Sequence, residues 1–149
     1  MSKDDGLVLE QGSVDLHTPL YNSRIMRVYV EYLHQHYPEI DIDKVLNYAE
    51  VTRPELEDSA HWFSQYQVDR FHTKIAEKTA SKNISHAVGR YAVSSEVLGI
   101  FKKIAISLVN PASVYMFIGK LYSLISRAVV VETKRVGDTR VEIAVSLNP

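Results

Sequence analysis

Val129-Val130-Val131-Glu132-Thr133-Lys134-Arg135-Val136-Gly137-Asp138-Thr139-Arg140-Val141-Glu142-Ile143-Ala144-Val145-Ser146-Leu147 is the stretch that decides the fold class. Apolar residues recur at every second position on both sides of Gly137-Asp138, the period of a strand with one apolar face. The faces also fix the loop. A two-residue loop of Gly137-Asp138 would set Glu132 opposite Ile143 and Lys134 opposite Val141, mixing charge into the apolar face. A three-residue loop, Gly137 to Thr139, pairs Val129 with Leu147, Val131 with Val145 and Thr133 with Ile143. It also sets Lys134 opposite Glu142, so the three-residue loop is expected.

Upstream the period changes to that of a helix. Asn110-Pro111 is a start signal, a cap followed by proline at the first helical position. It opens an apolar helix carrying Val114, Phe117, Ile118, Leu121 and Ile125. Gly119 inside it costs roughly 1 kcal/mol against alanine, which points to close packing on a neighbour. Before it, a helix is expected through Leu98, Phe101, Ala105 and Leu108, and a short one opened by Asn83 or Ser85 with Ile84, Val88 and Tyr91. Ser64-Gln65-Tyr66-Gln67 reads as a capping box for a helix with Val68, Phe71, His72 and Ile75 on one face, lasting to about Thr79. Pro54 suits the first turn of a small helical piece, and Asp41 caps a helix burying Ile42, Val45, Leu46 and Ala49. From Leu20 to Tyr37, Ile25, Val28, Tyr29, Tyr32, Leu33 and His36 form one stripe, with Arg24, Arg27, Glu31 and Gln35 outward and Pro38 as the stop.

The expected fold is therefore α+β: a helical body of about six helices followed by a C-terminal antiparallel β-hairpin. Residues 1–19 read as a flexible tail, in which Leu7-Val8-Leu9 could dock as a short strand, and 20–149 as one domain. A bare hairpin is marginal and has exposed edges. Cover by the helices, pairing with a second subunit, or continuation of a longer signalling chain would each relieve it. The last two together are the expectation.

Composition narrows the chemistry. The chain has 149 residues, six histidines, no cysteine and a formal charge of -1. Disulfides, thiolate metal sites, iron–sulfur clusters and cysteine nucleophiles are thereby excluded. Balanced charge leaves no electrostatic footprint for nucleic acid or an anionic membrane. The acidic start is no secretory signal, and no apolar run is long enough to span a bilayer, so a cytoplasmic protein is expected. There is no GxGxxG, GxxxxGK, GxSxG or HExxH motif to support nucleotide binding, hydrolase or metalloprotease chemistry. No enzyme, no cofactor and no metal are expected. His34 and His36 lie about 200° apart on a helix, so they do not share an ion. His72, on an apolar face, reads as a core histidine.

The candidate ligand-binding residues are His61 and Trp62, beside the capping box, and Arg90, Tyr91, Tyr115 and Tyr122. Buried tyrosines need partners for their hydroxyls, and Arg90 offers an anion contact. A small apolar or aromatic ligand is expected between the Asn110 to Ser126 helix and the hairpin.

Five stretches carry a resemblance. They are Tyr21-Asn22-Ser23-Arg24, Asp58-Ser59-Ala60-His61-Trp62-Phe63, Gln67-Val68-Asp69-Arg70-Phe71, Asn83-Ile84-Ser85 and Gly89-Arg90-Tyr91. With them the chain resembles the N-terminal input module of bacterial sensor histidine kinases. The middle, Val45 to Leu108, is similar to the ligand-binding region of AraC-type transcription regulators. The resemblance implies a non-catalytic sensory domain of a two-component type of system. Its implied partners are a second copy, as a homodimer, and a downstream kinase or other output domain. A docking or dimerisation module without ligand is the alternative. A third reading is a haem-binding gas sensor, since Tyr21-Asn22-Ser23-Arg24 approaches the Tyr-x-Ser-x-Arg pattern that holds haem propionates. Its arginine stands one place early, which favours a helix cap.

Overall fold

A computed structural model describes residues 15–99, 103, 111–138 and 140–148, with the side chains of 111, 112, 114 and 118 left aside. The order of elements is β1 (Pro19–Asn22), α1 (Ser23–His36), α2 (Ile42–Tyr48), α3 (Arg53–Glu57), β2 (Trp62–Ser64), α4 (Gln65–Thr79), α5 (Ile84–Tyr91), α6 (Pro111–Ser123), β3 (Val129–Val136) and β4 (Arg140–Leu147). The α+β class is as expected: six helices among the described residues, then an antiparallel hairpin. Most of the expected tail, with Leu7 to Leu9, and, beyond Leu98, the body of the helix through Phe101, Ala105 and Leu108 lie outside the described residues.

Helix starts follow the local chemistry. Asp41 caps α2 by accepting from the Lys44 N–H, and Ser64 and Gln67 form the capping box of α4. Thr52 and Glu55 form another at α3, with Pro54 in its first turn. Each cap satisfies amides that the helix leaves unpaired, worth about 1 kcal/mol. The core lies between α1, α2 and α4. Met26, Leu33, Val45, Leu46, Phe63, Phe71 and Ile75 are its most deeply buried members.

The first helix is capped by Asn22 and ends before Pro38 as expected, and the differences lie in what precedes it and in what it buries. It begins at Ser23, because Leu20 and Tyr21 are in strand β1, paired antiparallel with β2. Met26 and Val30 are buried as well as Val28, Tyr29 and Leu33, while His36 is exposed. The helix is central and is covered on more than one face. Strands of three and four residues are too short to show a period, which is why β1 and β2 escape a sequence reading.

The hairpin has the expected register throughout: Val129↔Leu147, Val131↔Val145, Thr133↔Ile143, Lys134↔Glu142 and Val136↔Arg140, the register of a three-residue loop. Gly137, at φ +69°, supplies the left-handed residue of that loop. Helix α6 packs on β3 at Gly119, where a Cβ would run into the backbone carbonyl of Val131. Close packing at this glycine is therefore real. The hairpin joins the body through β1: Asn22 N–H donates to Ile125 O (2.9 Å) and Arg127 N–H donates to Leu20 O (2.7 Å).

Candidate functional site

Two of the resembling stretches form one polar lock. Asn22 and Ser23 are buried, and a buried amide or hydroxyl is tolerated only with its hydrogen bonds made. Asn22 Nδ2 donates to the carbonyls of Ser59 (3.0 Å) and His61 (3.2 Å), and its Oδ1 caps α1 through the Arg24 N–H. Ser23 Oγ donates to Asp58 O at 2.6 Å, and the Arg24 guanidinium donates to Ser59 O at 2.9 Å. The lock thus ties Tyr21–Arg24 to the loop Asp58–His61. Its arginine is committed to a loop carbonyl, so the stretch acts as a helix cap and loop anchor.

Beside this lock is an apolar pocket of about 300 Å³. Ile25, Val28 and Tyr29 of α1 form one wall, and Val68 and His72 of α4 a second. Val88 and Gly89 of α5 border it, and Tyr122, Ile125 and Ser126, at the end of α6 and just after it, close it. The volume sits at the lower end of small-molecule sites, which are apolar with a few polar groups. The Tyr21 hydroxyl at its edge donates to Gln65 Oε1. Burial, then the nearby Asp69 carboxylate and Tyr122, raise the Tyr21 pKa.

His72 is the one imidazole in these walls, beside the hydroxyls of Ser85, Tyr122 and Ser126. Its ring lies 4.8 Å from that of Tyr29, and its Nε2 is the buried side-chain polar atom without a hydrogen-bond partner among the described residues. Burial lowers the imidazole pKa, against a smaller upward pull from Asp69, so the ring is neutral near pH 7. A neutral imidazole can hydrogen-bond an uncharged donor or acceptor. None of the described pocket residues is a lysine, arginine, aspartate or glutamate.

Gly89 is exposed on the pocket rim, inside α5. No described atom lies within 4 Å of where its Cβ would be, and its φ is not positive. Among the described residues neither packing nor backbone conformation asks for glycine there, yet glycine in a helix costs roughly 1 kcal/mol against alanine. The missing side chain leaves the rim open.

The candidate residues from the sequence are dispersed. Tyr122 lines the pocket. His61 stacks on Phe63 at 4.7 Å, and Trp62 lies under the Arg127 guanidinium at 3.8 Å, so both belong to the lock and its junction with the hairpin. Arg90 is exposed. Tyr91 meets Tyr32 edge-on at 5.4 Å and accepts a hydrogen bond from Gln35 (2.7 Å). Tyr115 is exposed on α6. A more polar groove of about 500 Å³ lies between α6 and β3, where the ligand was expected from sequence. The apolar pocket is instead on the body side of the end of α6.

Sequence reasoning missed Glu31, read as outward. Its carboxylate accepts from Ser95 Oγ and from the Glu96 N–H at 3.2 Å, anchoring the segment that leads to Leu98 on the pocket. Burial would raise its pKa, but these hydrogen bonds outweigh it and hold the carboxyl below its ordinary range. Isolated acids on a helix face give no sequence signal for such a role. Among the described residues no group of three or more acids and histidines is placed to hold a metal, and no helix is long and apolar enough to cross a membrane.

Compared with known proteins, the chain matches no family model, no curated protein and no solved structure.

Proposed function

We propose that this chain is a non-catalytic sensory or regulatory input domain that takes a small, uncharged, largely apolar ligand in the pocket between α1, α4, α5 and the end of α6. The observation that carries this reading is the open rim at Gly89, over apolar walls that hold one unpartnered neutral imidazole. Helix stability is given up where no described residue packs against the glycine and access is gained. The apolar walls supply affinity, and the polar side chains of the lining, His72 with Ser85, Tyr122 and Ser126, supply orientation.

Signal transfer follows from what the walls are made of. Ile125 and Ser126 line the pocket, and the same short segment hydrogen-bonds to β1 and leads into β3. A ligand that prefers one placement of this segment shifts the population of hairpin positions. The resemblance to input modules of sensor histidine kinases agrees with this arrangement, in which a downstream output region would read the hairpin. A cytoplasmic location belongs to the same reading.

The test is a nuclear magnetic resonance titration with phenol, indole and 1-naphthol as probes. At least one should shift the resonances of Val28, Val88 and Ile125, together with the Arg127 and Asn22 amides that join body to hairpin. If no probe perturbs the pocket up to its solubility limit, or if shifts are confined to the hairpin surface, the ligand reading fails and a docking module without ligand replaces it.

A further inference from the structure

The half of the hairpin that α6 does not cover points to an interface. On the apolar face, Val129, Val131 and Thr133 of β3 are half-buried beneath α6, but their partners on β4 are not: Ile143, Val145 and Leu147 are 45%, 65% and 82% exposed. Strand β4 is eight residues long, has no register shift against β3, and forms the edge of a two-stranded sheet. It has neither proline nor lysine nor a bulge, and its two charges, Arg140 and Glu142, stand at one end of the strand. We infer that β4 pairs antiparallel with β4 of a second copy about a two-fold axis through Ala144, forming a four-stranded sheet with both α6 helices on one face.

The register follows from parity and charge. Two copies related by a two-fold axis normal to the sheet keep their apolar faces together only when paired residue numbers sum to an even value. A sum of 284 sets Glu142 against itself, and like charges directly opposed are unfavourable. A sum of 286 leaves Leu147, and 290 leaves Val141, without a partner inside β4. A sum of 288 overlaps Val141–Leu147, all of the strand but Arg140. It pairs Ile143 with Val145 and Val141 with Leu147 on the apolar face. On the other face Glu142 meets Ser146, Arg140 meets Asn148, and Ala144 meets its own copy. No like charges are opposed, so the edge complements itself.

Geometry also favours a second copy as the occupant. In the four-stranded sheet the two β3 strands lie about 14 Å apart, three strand spacings. Two helices of about 10 Å diameter, one over each β3, roof that width. The exposed β4 side chains then fill the seam between them. Such closed, isologous pairing is the commonest route to a homodimer.

The absence of cysteine makes a direct test available. In the full 149-residue chain, sedimentation equilibrium from micromolar to sub-millimolar protein should show a monomer–dimer equilibrium, which Val145→Lys abolishes with an unchanged circular dichroism spectrum. Ala144→Cys should give a disulfide-linked dimer on mild oxidation, because opposed Cα atoms about 4.5–5.5 Å apart fall in the bridging range. Ser146→Cys alone should not, since its two copies lie about 13 Å apart along the strands. The double variant Glu142→Cys/Ser146→Cys should link again. A chain monomeric at every concentration would overturn the inference and leave the edge to a strand of another partner. So would a dimer indifferent to Val145→Lys, or equal cross-linking of Ala144→Cys and Ser146→Cys.

Discussion

Replacing Asn22 by alanine removes more than a helix cap. The cap itself, Oδ1 accepting from the Arg24 N–H, is worth about 1 kcal/mol. The two bonds that Nδ2 donates, to Ser59 O and His61 O, contribute about 0.5–1.5 kcal/mol each. Neither carbonyl is orphaned by the change, because Ser59 O keeps the Arg24 guanidinium and His61 O keeps the Ser23 N–H. The larger penalty for an unsatisfied buried group is therefore avoided, and the expected loss is about 2–4 kcal/mol. Asn22→Asp separates the contributions. It keeps the cap and the contact with Arg24, loses both donated bonds, and sets a carboxylate against two carbonyl oxygens. It should cost at least as much as half of the alanine change, despite being isosteric. Urea unfolding with the slope held common to all variants measures both. An Asn22→Ala loss under about 0.5 kcal/mol, or an Asn22→Asp variant as stable as the parent, would refute the lock as the link between α1 and the Asp58–His61 loop.

Gly119→Ala should destabilise by about 1–2 kcal/mol despite alanine's better helix propensity, because the Val131 backbone in the way cannot rotate aside as a side chain would; urea unfolding measures it. Titration of His72 should also show in stability. Its folded pKa lies below the unfolded value, so on acidification the unfolded chain takes up the proton first and stability falls as pH drops through about 6.5. His72→Phe should accordingly lose less stability than the parent between about pH 7.5 and about pH 5.5, as read by urea unfolding at each pH.

What the sequence made legible follows the strength of each local rule. The hairpin register could be read because a slip of one residue would move every charge on β4 to the apolar face, and Glu142 and Lys134 decide it. Asp41 and Ser64 were legible as caps because few residue types serve there, and Gly119 because a helix tolerates glycine poorly. The pocket was not legible. It is assembled from α1, α4, α5 and the segment after α6, and the distances that bring Val28, His72 and Ile125 together are tertiary. Aromatic content draws attention to Trp62 and Tyr115, which do not line the pocket, whereas Gly89, with no described atom within 4 Å of where its Cβ would be, does. His72 was placed correctly on an apolar face, but its missing hydrogen-bond partner exists only in three dimensions.

The most direct measurement of the central claim is the affinity of 1-naphthol for Gly89→Ala and Gly89→Phe against the parent chain, with unfolding followed in parallel. Alanine fits the open rim and should raise stability by about 0.5–1 kcal/mol with binding retained. Phenylalanine should fold as well as the parent and lose naphthol binding at least tenfold by closing the entrance. Undiminished binding to a folded Gly89→Phe variant would contradict the pocket as the ligand site.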